Sequence, residues 1–381
     1  MKKTLLAAAL TIGFVGAAQA ETSVTLYGIV DAGISYQQVK GTNPATGLDY
    51  KGTRTGFLSG GQSEESRWGL RGTEDIGEGL QAVFVLENGF DLGTGTTNHD
   101  NKLFGRQATI GLRSDAWGQL DFGRQTNIAS KYFADVASPF GTEFSQARVG
   151  TTFGAADRVR YDNMVMYQTP NFSGFQFGVG YSFNNNGNQQ FKQSGGDQPN
   201  SRAWTTGLRY VNGPIGAALT YDQIKSAETF GPASVDNGVS IKSWNLGASY
   251  DFNVAKLHLG FGQTRNGWLQ SVQYADLPAF ETANTGYYAN DGMKVNSYTV
   301  GLSAPIGGNS AIMASWGMAD PRDGGVHGAS ATSKQQVYSL GYTYALSKRT
   351  NVYAIGSYAK HVAFQDDLKS TFVGAGIRHQ F

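Results

Sequence analysis

The sequence predicts an all-β fold, a 16-stranded antiparallel β-barrel that crosses a membrane. Three observations carry that expectation. Apolar and polar residues alternate through one segment after another. Short turns alternate with long polar connections. The last segment, "TFVGAGIRHQF" at 371–381, reads as a strand up to its final phenylalanine.

That last segment sets the pattern. Phe381, His379, Ile377, Ala375 and Val373 share one face, and Gln380, Arg378, Gly376 and Gly374 share the other. A period of two means a strand with different surroundings on its two sides. An open edge ending in a bare aromatic invites aggregation. Pairing with the first strand removes the edge, because a closed barrel has none.

The first residues fit the same setting. "MKKTLLAAALTIGFVGAAQA" carries Lys2 and Lys3, then an apolar stretch from Leu5 to about Val15, then Ala-Gln-Ala at 18–20. This is the pattern of a cleaved secretory signal peptide over 1–20, leaving 21–381 as the barrel. Loss of the two leader lysines leaves 28 basic against 29 acidic side chains, a formal charge of −1. So balanced a chain is not built for nucleic acid. With no cysteine, it gains nothing from disulfides. No later apolar run reaches about 18 residues, so helical spans are not expected. The 52 Gly, 19 Tyr and 22 Phe against 9 Pro suit long strands with aromatic belts.

The alternation recurs in order along the chain. Val24, Leu26, Val30, Ala32, Ile34 and Tyr36 face one way in the first strand, and Thr25, Tyr27, Asp31, Gly33 and Ser35 the other. "GFQFGVGYS", "AWTTGLRY", "SWNLGASY" and "VYSLGYTY" repeat it, each with aromatic residues flanking the apolar face. Rings at the ends and aliphatics between them match a bilayer with two interfaces. Short turns are expected at 74–78, 114–117, 170–174, 212–214, 251–253, 305–309 and 347–350. Long connections are expected near 37–63, 92–101, 126–157, 184–201, 226–239, 266–292, 320–334 and 362–369. Seven turns and eight loops join 16 strands. A barrel of that size is too wide for side chains to fill, so it holds an aqueous channel.

Several segments together are specific: "SVTLYGIVDAGI", "SRWGLRGTEDIGEGLQAVFVLENGF", "FGRQATIGL", "WGQLDFGRQ", "YQTPNFSGFQFGVGYSF" and the final "GIRHQF". On these the whole mature chain resembles the general diffusion porins of Gram-negative outer membranes, and most resembles their betaproteobacterial branch. The resemblance implies short periplasmic turns, long extracellular loops and a third loop folded into the barrel. It implies a homotrimer in outer-membrane lipid and lipopolysaccharide. It implies that Phe381 belongs to the signal read by the barrel-assembly machinery. The implied function is passive diffusion of small hydrophilic solutes and ions. A substrate-selective channel with its own solute site is the alternative.

The same resemblance makes 126–157 the constriction loop. Phe133, Phe140, Phe144 and Phe153 give this stretch anchors for a wall, so it is expected to be ordered. Its tip, Pro139 to Phe144, resembles the acidic tip of other porins but holds fewer carboxylates, chiefly Glu143. Eight of the chain's 15 arginines lie between 67 and 160. Strand parity points Arg67 and Arg71 inward. Arg67, Arg106 and Arg148 stand where related porins carry a basic ladder, with Arg160 a fourth candidate. Ile29 and Met166 replace bases found in relatives, which thins the ladder. Cations facing loop carboxylates would orient water across a narrow gap and favour polar solutes. The arginine excess suggests weak anion preference.

Parity also turns Arg124 outward, beside Leu120 and Phe122. A guanidinium facing lipid is unfavourable, and a buried one needs an anion. The expected resolution is a trimer interface in which Arg124 meets a second-loop aspartate of an adjacent protomer, Asp100 ahead of Asp91; the alternative is an arginine that snorkels to the headgroups. Catalysis is not expected. The five histidines make no metal spacing, no G-x-S-x-G occurs, and Asp31 and Glu87 are ordinary carboxylates of a wet lumen. No cofactor is implied.

Overall fold

The computed structural model describes residues 23–42, 47–58, 61–228, 238–269, 287–323 and 333–381. The signal peptide expected over 1–20 lies outside them. The strands are β1 (Ser23–Thr42), β2 (Asp49–Leu58), β3 (Arg67–Gly77), β4 (Leu80–Gly89), β5 (Gln107–Ser114) and β6 (Gly118–Thr126). Next come β7 (Arg160–Gln168), β8 (Phe175–Ser182), β9 (Arg202–Asn212), β10 (Ile215–Lys225), β11 (Ser240–Asp251) and β12 (Lys256–Leu269). The wall ends with β13 (Tyr287–Ile306), β14 (Ser310–Asp323), β15 (Gln335–Ala345), β16 (Thr350–Lys360) and β17 (Lys369–Gln380). Between β6 and β7 lie two short helices, α1 (Ile128–Tyr132) and α2 (Ala134–Ala137).

Each strand pairs antiparallel with its neighbours, and β17 returns to β1 in register from Ile29↔Gln380 to Lys40↔Lys369. Gly28 and Phe381 then exchange both backbone hydrogen bonds at 3.1 Å. The last residue of the chain therefore seals the barrel against the first strand, as the closing segment requires. Among the described residues, seventeen strand segments make 16 staves, because β2 and β3 are halves of one stave. The outer half of β1 pairs with β2 from Gly33↔Leu58 to Thr42↔Asp49. Its inner half pairs with β3 from Ser23↔Thr73 to Ile29↔Arg67.

The outer face is apolar and exposed in the isolated chain. Leu26, Ile34, Ile110, Phe122, Leu208, Leu219, Leu246, Val300, Leu340 and Ile377 all stand on it. Aromatic pairs mark its two ends. Tyr181 and Trp204 lie 4.5 Å apart near the loop end, and Phe175 and Tyr210 lie 4.5 Å apart near the turn end. Apolar staves between two aromatic girdles are the surface a bilayer solvates. Among the described residues no helix is long and apolar enough to cross a membrane.

Three expected loops are shorter than the sequence pattern suggests. β1 runs to Thr42 and β2 covers Asp49–Leu58 inside the stretch assigned to 37–63. β12 reaches Leu269, β13 starts at Tyr287, and β14 reaches Asp323, trimming the stretches assigned to 266–292 and 320–334. The outward face explains it. Where staves rise beyond the bilayer their outer face turns polar, so the ladder continues while the outward apolar period that reveals it disappears, although inward residues such as Val39, Trp268 and Met293 stay buried against loop side chains.

Candidate functional site: a charged cluster across the lumen

Residues 127–159 leave β6 and fold inside the barrel. Asn127 starts the segment by capping α1, its Oδ1 accepting from the Ser130 amide at 3.3 Å. Its Nδ2 donates to Asp222 on β10 at 2.8 Å. Further on, Ser243 of β11 donates to the Gly154 carbonyl at 3.2 Å, and Gln335 of β15 donates to the Thr151 carbonyl. Ser370 of β17 donates to the Gln146 side chain at 3.2 Å. Partners spread so far around one wall are reachable only from the lumen side. Phe133, Phe140, Phe144 and Phe153 are all buried there. Phe144 stands edge-on to Tyr353 at 5.5 Å. Deep burial of four rings holds the loop against the wall, each being worth about 1.5–3 kcal/mol of transfer free energy.

A second piece of chain also turns inward. Residues 61–66 leave the wall between β2 and β3, and Gln62, Ser63, Glu64 and Ser66 are buried. The tip of the 127–159 loop lands on it, with the Phe144 amide donating to the Ser63 carbonyl at 2.8 Å.

The arginines gather around this junction. Arg67 meets Glu64 at 3.0 Å and Glu87 at 3.7 Å. Arg106, turned inward by a bend just before β5, donates to Glu87 at 2.7 Å and pairs with Glu65. Arg160 donates to the Arg106 carbonyl at 3.0 Å and lies 3.9 Å from Glu65. Arg378, on the polar face of β17, meets Glu64 at 3.0 Å. Arg148 pairs with Asp157 of its own loop at 3.2 Å. Arg158 has Arg148, Arg106, Asp157 and Glu64 as its charged surroundings. Burial, then Arg148 and Arg106, push its guanidinium down to about 10, which leaves it charged at neutral pH.

Carboxylates respond to this field. Burial opposes ionisation of Glu65, but Arg106, His99 and Arg160 outweigh it and hold the carboxyl down at about 2. Glu64 behaves likewise, with Arg67 the strongest of the groups that keep it ionised. Glu143 goes the other way. Burial and the adjacent Glu64 carboxylate raise it, which favours the protonated form that hydrogen-bonds Glu64. His99 is half-buried, with its ring 3.1 Å from Arg160; desolvation and the neighbouring arginines push it down to about 4 against the pull of Glu65, hence neutral.

The structure therefore brings Arg67, Arg106, Arg160 and Glu143 into one neighbourhood and puts Arg148 beside it. Arg158, one of the eight arginines between 67 and 160, joins them, and Glu64, Glu65 and Arg378, which the sequence reading did not single out, complete the cluster. The pair Glu64-Glu65 immediately before inward-facing Arg67 was the available signal. At Met166 a cation is present after all, since Lys131 of the loop reaches it, Nζ to Sδ 3.3 Å.

Arg124 needs a correction. It faces outward, but its partner is in the same chain: Asp162 of β7 accepts from Nη1 at 2.5 Å, and the Gly105 carbonyl from Nε at 2.7 Å. A register shift between Gly123 and Gln125 sets it opposite Asp162. Asp100 stands exposed in the 90–106 loop with φ +58°. The unpaired charge that called for an aspartate from an adjacent protomer does not exist.

A closed wide barrel, apolar outside and charged inside, with chain folded across its lumen, defines a transmembrane pore. The Gram-negative porin family model matches residues 5–362, and the chain belongs to that family. Over the full length of both chains it is 55% identical to an outer membrane porin protein of Bordetella pertussis. It is 33% identical, again over both full lengths, to outer membrane porin protein 32 of Delftia acidovorans. Among solved structures it is similar to the anion-selective porin from Comamonas acidovorans, with a TM-score of 0.66 and 29% identity over 95% of this chain and 100% of that one. The protein is an outer-membrane channel for passive diffusion.

Proposed function

We propose that this porin passes small hydrophilic solutes and ions with a weak preference for anions. One observation carries the reading: Arg67, Arg106, Arg148, Arg158, Arg160 and Arg378 crowd the narrowed lumen against Glu64, Glu65, Glu87 and Asp157, while burial and the adjacent Glu64 push Glu143 toward its neutral form. The surplus is positive but small, and most arginines are already paired. A salt solution screens it further, over a Debye length of about 8 Å near physiological ionic strength. The similar solved porin described as anion-selective supports the sign.

In this reading Arg67, Arg106, Arg148 and Arg160 form the basic wall of the constriction and Glu143 joins the loop tip to the 61–66 segment. Water between them is oriented across the gap, which disfavours apolar solutes. We also propose a homotrimer in outer-membrane lipid and lipopolysaccharide, with the sealing strand and Phe381 as the segment recognised during barrel assembly. Planar-bilayer recordings test the main reading. The expected reversal potential in a KCl gradient has the anion sign, and Arg67→Gln with Arg106→Gln moves it toward cations. Cation preference in the parent contradicts it. Block by one solute at low concentration, with similar solutes inert, would favour a solute-selective channel instead.

A further inference from the structure

Where stave two breaks, β1 loses its neighbour. Its pairing with β3 ends at Ile29 and its pairing with β2 resumes at Gly33, so Val30, Asp31 and Ala32 have no strand on that edge. Ser66 fills the vacancy. Its hydroxyl accepts from the Asp31 amide at 3.0 Å and donates to the Asp31 carbonyl at 3.1 Å. Both backbone groups that the missing strand would have satisfied are thereby satisfied.

The Asp31 side chain does the rest. It is fully buried and points into the barrel. Oδ1 accepts from the Gln62 amide at 3.0 Å and Oδ2 from the Glu64 amide at 3.0 Å. The Tyr353 hydroxyl reaches across β17 from β16 and donates to Oδ1 at 2.6 Å. That reach needs the bare face of β17: a Cβ on Gly376 would lie 2.4 Å from the Tyr353 hydroxyl, and one on Gly374 would lie 2.1 Å from the Gln62 side chain. The turn is tight as well. Gly61 has φ +86°, and a Cβ there would lie 1.7 Å from the Glu64 carbonyl. One carboxylate thus holds two amides of an inward turn, from a strand that also closes the barrel.

What the turn presents matters for conduction. Glu64 partners Arg67 and Arg378, Glu65 partners Arg106 and neighbours Arg160, and the Ser63 carbonyl receives the tip of the long loop. We propose that residues 61–66 are a second infolded constriction segment, and that Asp31 is the positioning residue that sets pore size and ion preference by holding it in place. The part played in conduction rests on the reading of the lumen as a weakly anion-preferring pore; the placement of the segment does not.

The test exploits a chain without cysteines. Ser63→Cys puts one reporter thiol at a position only 4% exposed. Its labelling by a small water-soluble methanethiosulfonate is expected to be slow in the folded porin. Asp31→Asn keeps the shape but offers an amide N–H to a backbone N–H, so labelling should quicken by at least about tenfold, the factor that 1.4 kcal/mol produces. Tyr353→Phe removes one donor and should quicken it less. In a KCl gradient Asp31→Asn should raise single-channel conductance and shift the reversal potential toward anions, as Glu64 and Glu65 leave the arginines. Glu64→Gln with Glu65→Gln should shift the potential the same way without faster labelling. Equal labelling rates with and without Asp31→Asn overturn the proposal. Faster labelling with an unmoved reversal potential overturns the role in selectivity. If Asp31→Asn yields no folded barrel, an unchanged rate in Tyr353→Phe overturns the proposal instead. Absence of conductance in the parent would refute the channel reading, and the labelling rates would still decide the placement.

Discussion

Glu143 shows why a residue's identity does not fix its charge. Buried against ionised Glu64, it is raised from 4.5 to about 8. A carboxyl whose folded pKa is raised contributes stability that is complete below its unfolded value and is lost as pH rises through the folded one. The hydrogen bond between the two infolded segments is therefore favoured at low pH and weakens as pH rises through the raised value of Glu143. Reversal potentials recorded through that pH should drift toward cations as a new negative charge appears, and Glu143→Gln should abolish the drift. A flat profile in the parent would contradict the shared proton. Arg124 offers a second test. Arg124→Ala should lower the thermal stability of the barrel by about 1–3 kcal/mol, the usual size of a lost charge-assisted hydrogen bond. Asp162→Asn should do the same, the double variant should cost less than the sum, and Asp100→Ala should change little. Full additivity would contradict the pair. Parity could find Arg67 and the outward face of Arg124, because both lie in regular ladder. It could not find Asp162 as the partner, because a bulge changes who stands opposite whom.

Among elements, the two infolded segments differ in how visible they are. The 127–159 loop announces itself by length and by four phenylalanines that water would not tolerate. Residues 61–66 do not. They are short and polar, and they sit within a stretch whose extended staves already lack an apolar period. Asp31 looked like an ordinary lumen carboxylate because its partners lie 31–35 and 322 residues away. The long loop's own anchor is equally specific. Asn127 caps α1, donates to Asp222 at 2.8 Å and donates to the Ala155 carbonyl at 2.7 Å. Loss of the cap alone costs about 0.5–2 kcal/mol, and the lost contacts at both ends of the loop add to it. Asn127→Ala should therefore speed tryptic cleavage within the loop at Lys131 or Arg148 while the barrel stays folded. Unchanged cleavage would show that the phenylalanines suffice.

Across the whole molecule the fold is written plainly in the sequence. Alternation, girdles and the turn-loop asymmetry are all consequences of one constraint, that every backbone group in lipid must be paired within a closed sheet. That constraint acts on each stave, so it is written many times over. The lumen is different. Its charge pattern depends on which side chains meet across a wide hole, and distant residues meet there in ways no local period records. Function rests on that lumen: a wide water-filled pore whose narrowed part carries a small surplus of arginine. The most direct measurement is the reversal potential of single channels of the purified folded porin in a KCl gradient, repeated as bulk salt is raised. A pore of this kind should show open steps whose conductance rises with salt and a reversal potential of the anion sign that shrinks toward zero as screening grows. A cation-selective reversal potential, or a folded porin that passes no current, would contradict it.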